Sequence, residues 1–178
     1  MSDAVVTPTS LGYFVIEAQD LEAWRRFADV IGLPGSDDTP PGTMALRLDE
    51  HAQRILIERG PADDLVAVGW ACASEALLDA CVQQVSAQAS ALGIAVERGD
   101  DALCRSRQVE RLFTCIGADG LRHELHYGPA MAPKDQPFRS PLLGGAFVAG
   151  RLGAGHYVAA VRDKAAAEQF YRHALGLR

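Results

Sequence analysis

With 178 residues, 48% of them apolar and 22% charged, the chain can bury a core and has the make-up of a soluble globular protein. A net charge of −6, with no run of lysine or arginine, speaks against nucleic acid and anionic membranes as partners. No apolar stretch approaches a membrane span, and Cys72, Cys81, Cys104 and Cys115 lack the paired spacing of a zinc site. Without a charged-then-apolar leader, the expectation is a cytoplasmic protein with free, buried thiols.

In chain order, a loose start leads into "LGYFVIEA", whose aromatic and β-branched residues predict a strand. Asp20 is a natural N-cap for "LEAWRRFADVIGL", where Leu21, Trp24, Phe27, Ala28 and Ile31 recur at helical spacing up to Gly32. "GSDDTPPGT" is a loop by composition, and "MALRLD" and "RILIERG" alternate as half-buried strands do. A break at 61–64 is followed by the same order again. "LVAVGWACA" predicts a strand, and Ser74 caps a helix with Leu77, Leu78, Cys81, Val85 and Leu92 on its apolar face. "AVERG", "RQVERLFTCIG" and "LRHELHYG" predict three more strands, the last two joined by a turn at Ala118, Asp119 and Gly120. "PAMAPKDQPFRSP" reads as a proline-rich linker.

After the linker the opening pattern returns. Gly12 matches Gly155, Tyr13 matches His156, Val15 matches Val158, Asp20 matches Asp163 and Phe27 matches Phe170, all at an offset of 143 residues. One extra residue then precedes Gly176-Leu177, the counterpart of Gly32-Leu33. Agreement in strand, cap and terminating glycine together marks a repeated unit rather than a shared helix pattern.

Repeated βαβββ units are the plan of the vicinal oxygen chelate superfamily, and the sequence resembles its members. The fold class implied is α+β, with paired βαβββ modules and an incomplete third. The closer resemblance is to two-domain extradiol ring-cleavage dioxygenases of the 2,3-dihydroxybiphenyl 1,2-dioxygenase type. It is carried by "SLGYFVIEAQDLEAW", "DDLVAVGWAC", "DGLRHELHYGP" and "PFRSPLLGGAFVAGRLGAGHYV" in that order. On that resemblance residues 1–10 form an arm and 11–129 a non-catalytic domain of two modules (11–60 and 64–129). Residues 130–152 form a linker, and 153–178 the first strand and helix of the catalytic domain. The family's catalytic domain holds Fe(II), in occasional members Mn(II), through two histidines and a glutamate. Such a triad leaves three cis positions for the two catechol oxygens and dioxygen. The first of those histidines lies in a "GHxV" strand, so the resemblance points to His156 as a metal ligand. It also points to Val158, on the same face, as substrate-pocket wall, with plain core packing the equal alternative. The remaining ligands are expected beyond Arg178, so this chain alone is expected to bind no metal and to cleave no ring. The partners implied are a bicyclic or biaryl catechol, O2 and further copies of the chain in a homo-oligomer.

Glu124 and His126 share a strand face about 7 Å apart, and Glu124 falls where the catalytic domain's equivalent strand carries its glutamate ligand. Yet Tyr13 stands in place of the first histidine, so the first domain is expected to hold no metal. His51 and His173 read as surface residues, and Trp24 and Trp70 as packing. No Gly-rich phosphate loop and no GxSxG elbow is present. The alternative function is a metal-free binding module of the glyoxalase/bleomycin-resistance kind, which needs a roomy face between units one and two. Two chains completing one another's sheet, without chemistry, is a third. For the tail, the apolar side of Val158, Ala166, Phe170, Ala174 and Leu177 predicts burial, against a second copy of the chain in preference to the first domain.

Overall fold

The computed structural model describes residues 5–35, 39–144 and 147–177, with the side chains of 89–92 outside that description. Leu92, expected on a helix's apolar face, is therefore outside the described side chains, as are parts of the arm, first loop and linker and Arg178 altogether.

The first unit comprises β1 (Ser10–Ala18), α1 (Leu21–Ile31), β2 (Thr43–Leu46) and β3 (Ile55–Arg59). The second comprises β4 (Asp64–Cys72), α2 (Glu75–Leu92), β5 (Val96–Arg98), α3 (Asp101–Arg107), β6 (Val109–Ile116) and β7 (Arg122–Pro129). The expected caps are made. The Asp20 carboxylate accepts from Ala23 N–H at 2.9 Å, and Ser74 Oγ accepts from Leu77 N–H at 3.1 Å. Gly32 ends α1 at φ 70°, where a side chain would be strained.

The repeated order of elements predicts two sheets facing one another around an apolar interior, and the structure departs from that. The units merge into one seven-stranded mixed sheet of order β2-β3-β1-β4-β7-β6-β5. The physical reason is that the two opening strands pair with each other: β1 runs antiparallel to β4, and each is parallel to its own unit's closing strand. Neither opening strand is left as an open edge.

One face of the sheet carries both long helices. α2 buries Leu78, Cys81 and Val85 on Val68, Trp70 and Leu125, while α1 buries Leu21 and Ala28 on Met44, Leu46 and Ile57. Phe27 and Ile31 were expected inside, but they are 51% and 36% exposed, because α1 turns only Leu21, Ala28 and part of Trp24 inward. The other face carries Tyr13, Val15, Leu56, Ala67 and Leu112, covered at one end by Leu103 and Cys104 of α3. α3 has no counterpart in the sequence reading.

Past the linker, the tail has a 3-10 turn (Gly150–Leu152), an extended stretch, and α4 (Lys164–Gln169) running into a π-helical turn (Phe170–Ala174). Asp163 caps α4 as Asp20 caps α1, accepting from Ala166 N–H at 3.0 Å, and Gly176 repeats φ 70°. The tail packs on its own chain. Phe170, Ala174 and Leu175 are at most 1% exposed, in one cluster with Trp70, Leu78 and Leu125. Polar contacts support that packing. The Gln84 carboxamide on α2 donates to Ala174 O (2.9 Å) and Val6 O (2.8 Å) and accepts from Val6 N–H (2.7 Å). Ala154 N–H donates to Leu11 O at 2.8 Å.

Candidate functional site

Residues 155–161 show the burial alternation of a strand but pair with none among the described residues. His156, Val158 and Ala160 are exposed, while Tyr157, Ala159 and Val161 turn toward the protein. Alternate side chains of an extended chain point to opposite sides, so His156 and Val158 share the outward face. Val158, expected on the buried side of the tail, is instead 89% exposed, because the alternation that turns Tyr157 inward turns it outward. The expected strand is thus extended backbone without a ladder, and its outward face carries both expected site residues.

The equivalent strand of the first unit is arranged differently. Tyr13 is 2% exposed, and its hydroxyl donates to Glu124 Oε2 at 2.5 Å. Glu124 is fully buried and holds two guanidinium groups. Arg107 Nε donates to Oε2 at 3.0 Å, and Arg122 Nε lies 2.9 Å from Oε1 as an ion pair without hydrogen-bond alignment. Arg107 Nη1 also donates to Glu58 Oε1 at 2.6 Å, so two cations and two carboxylates balance across this face. Burial, then the Glu124 charge, push the Tyr13 hydroxyl well above its ordinary range, so it remains a donor. A cation facing Glu124 here would have to displace two guanidinium groups.

His126 completes this face. Its ring stacks on Tyr13 at 4.8 Å between centroids, is fully buried, and leaves both nitrogens without a hydrogen-bond partner among the described residues. Burial, then the charges of Arg54 and His51, lower its pKa to about 3. The stack fits because the strands beneath carry glycines. A Cβ on Gly12 would stand 2.2 Å from His126 Nε2, and one on Gly69 2.4 Å from the Tyr13 ring. Glu124 and His126 share a face as expected, yet arginine and tyrosine, not a second imidazole, complete their surroundings. The face is also filled: Tyr13, Leu112, Glu124, His126 and Arg107 are each at most 2% exposed. These large buried side chains count against the small hydrophobic ligand of the alternative reading.

Among the described residues no group of three His, Cys, Asp or Glu side chains is placed to hold a metal. His156 is an exposed imidazole and so fits one position of an iron site, with no second ligand beside it among the described residues. His51, whose polar turn predicts an ordinary surface residue, is three-quarters buried and sits 3.0 Å from Asp49, which also binds Arg54. His173 is exposed, as expected. Sequence reasoning missed Arg107, although Asp100 ahead of "DALCRSR" is an N-cap signal, accepting from Leu103 N–H at 2.7 Å. It also missed the inward turn of Asp119, which reads as an ordinary hairpin residue.

Comparison with known proteins matches this arrangement to one class. Residues 11–60 match the family described as "Dihydroxybiphenyl dioxygenase BphC D1". The structure is similar to a crystal structure of catechol 2,3-dioxygenase, with a TM-score of 0.86 and 31% identity over 97% of this chain and 56% of that one. The fold is the vicinal oxygen chelate fold of that dioxygenase. More particularly, the chain is 36% identical to the biphenyl-2,3-diol 1,2-dioxygenase of Paraburkholderia xenovorans (strain LB400) over 95% of its length. It is 35% identical to an iron-dependent extradiol dioxygenase of Rhodococcus jostii (strain RHA1), again over 95%. The chain spans about half the length of these curated relatives, 55% and 54% respectively. No helix among the described residues is long and apolar enough to cross a membrane.

Proposed function

We propose that the chain is the N-terminal part of an iron(II)-dependent extradiol dioxygenase that opens a bicyclic or biaryl catechol beside its two hydroxyls. Residues 11–129 are its non-catalytic domain, 130–152 the linker, and 153–178 the start of the catalytic domain. His156 is the first metal ligand and Val158 a wall of the substrate pocket. The observation that carries this reading is the outward face of 155–161: it presents imidazole and an apolar side chain together, on a segment whose other side is anchored. When bound, iron(II) would supply coordination sites for catechol and dioxygen. Manganese is the alternative metal, and the working enzyme is a cytoplasmic homo-oligomer.

Extending the reading frame past Arg178 tests the proposal. Further βαβββ units with a second histidine and a glutamate are expected, as is ring-fission absorbance from 2,3-dihydroxybiphenyl that His156→Ala abolishes. The 178-residue chain loaded anaerobically with Fe(II) should give no product above a free-iron control. A stop codon directly after Arg178, or full activity in His156→Ala, would overturn the reading.

A further inference from the structure

The 155–161 segment has no ladder among the described residues to hold it, yet it alternates in burial as if clamped from one side. Between Ala154, which donates to Leu11 O, and Asp163, which caps α4, it forms one hydrogen bond among the described residues. That bond joins Tyr157 Oη to Tyr171 Oη at 2.6 Å. Tyr171 Oη in turn lies 2.5 Å from Asp119 Oδ2, at the β6–β7 turn. Asp119 also accepts from Leu121 N–H at 3.0 Å and lies 3.3 Å from His123 Nε2 through both oxygens. His123 Nδ1 is 3.0 Å from Trp70 Nε1 on β4.

Every proton in this chain has one consistent place. An indole N–H only donates, so His123 Nδ1 accepts and Nε2 carries the ring hydrogen toward Asp119. A carboxylate only accepts, so Tyr171 donates to Asp119 and its oxygen is free to accept from Tyr157. The inner members are dry: the His123 and Asp119 side chains are 0% and 1% exposed. The chain closes on itself through packing, because the Tyr157 ring lies 6.2 Å from both Trp70 and Phe14. A fully satisfied network with a dry inner end specifies one arrangement, since losing a member leaves a neighbour short of a partner where His123 and Asp119 are shut off from water.

We propose that the Trp70–His123–Asp119–Tyr171–Tyr157 relay is a positioning device by which the first domain fixes the backbone that presents His156 and Val158. Tyr157 is its positioning residue. It points into the first domain while its two neighbours in the alternation point outward, so holding its hydroxyl sets the direction of the outward face. That this direction serves a metal rests on the proposed function; the clamp itself does not.

The test is backbone 15N relaxation on the 178-residue chain and on Tyr157→Phe and Tyr171→Phe, which delete one hydroxyl each and keep the rings. Order parameters for 155–161 should fall from about 0.85 to below about 0.6 in both variants, with β1, β4 and β7 unchanged. The wild-type His123 ring should show the Nε2–H tautomer in long-range 1H–15N spectra. Unchanged order at 155–161 in both variants would overturn the clamp, showing that ring packing suffices. Order lost across the whole sheet would overturn it too, since the hydroxyls would then be general stabilisers. Neither readout involves metal. A clamped tail in an extended protein whose iron ignores His156 would sink only the metal reading.

Discussion

The strand-helix opening of the chain and its copy in the tail share a cap, a terminating glycine and a 143-residue register, and they are used in opposite ways. In β1 the repeated position is Tyr13, buried between two strands with its hydroxyl on Glu124. In the tail it is His156, exposed on a segment that pairs with nothing among the described residues. The helices invert as well: Phe27 is 51% exposed on α1, whereas Phe170 is fully buried on α2 and the sheet. Local sequence specifies the unit, and the neighbours each copy finds decide which of its faces is interior.

The largest expected difference lies in the two phenylalanines. Phe170→Ala should cost about 3–5 kcal/mol, as core aromatic truncations do. Phe27→Ala should stay within about 1 kcal/mol, because half its ring is already in water. Urea midpoints measure both, and equal costs would show that the tail is not docked as described.

Protonation separates the buried side of the comparison next. His126 is held neutral, with its pKa lowered from 6.5 to about 3. Between those values the unfolded chain binds the proton and the folded chain does not. Stability is therefore complete above pH 6.5 and falls as the pH drops toward 3. Asp119 adds a second loss at lower pH. Burial would raise its pKa, but hydrogen bonds from His123 and Tyr171 outweigh it and hold the pKa at about 2, below the usual 3.8. His126→Phe, keeping the stack on Tyr13, should flatten the profile between pH 6.5 and 4 while leaving the acid-end loss. A profile identical to wild type would place the titration elsewhere.

The paired glycines should differ in cause more than in size. Gly12→Ala drives a Cβ against the His126 ring and should cost about 1–3 kcal/mol. Gly155 meets nothing within 4 Å but sits at φ 96°, so Gly155→Ala should cost about 1 kcal/mol through backbone strain. Shrinking the obstacle with His126→Ala should recover stability for Gly12→Ala and leave Gly155→Ala untouched. Recovery of both, or of neither, would contradict this assignment.

The smallest effect is expected where the two copies are made most alike. Tyr13→His imports the tail's imidazole opposite Glu124, but Arg107 and Arg122 still hold that carboxylate. Calorimetric titration with Co(II) should match the wild-type trace. Stoichiometric binding would show that the guanidinium groups yield to a metal.

The sequence by itself determined the elements and the repeat. Helical spacing, aspartate caps and glycine stops are local, and the structure places Asp20, Ser74, Asp163, Gly32 and Gly176 in those roles. It also placed His156 and Val158 on one face, because alternation along an extended chain needs no partner. Only the tertiary structure decided that the two units merge into one sheet, because strand pairing between 10–18 and 64–72 leaves no periodic mark. Likewise Arg107 reaches Glu124 across 17 positions and Tyr171 reaches Asp119 across 52. A buried charge acquires its meaning from whichever partner the fold brings to it, and that partner lies beyond any local window.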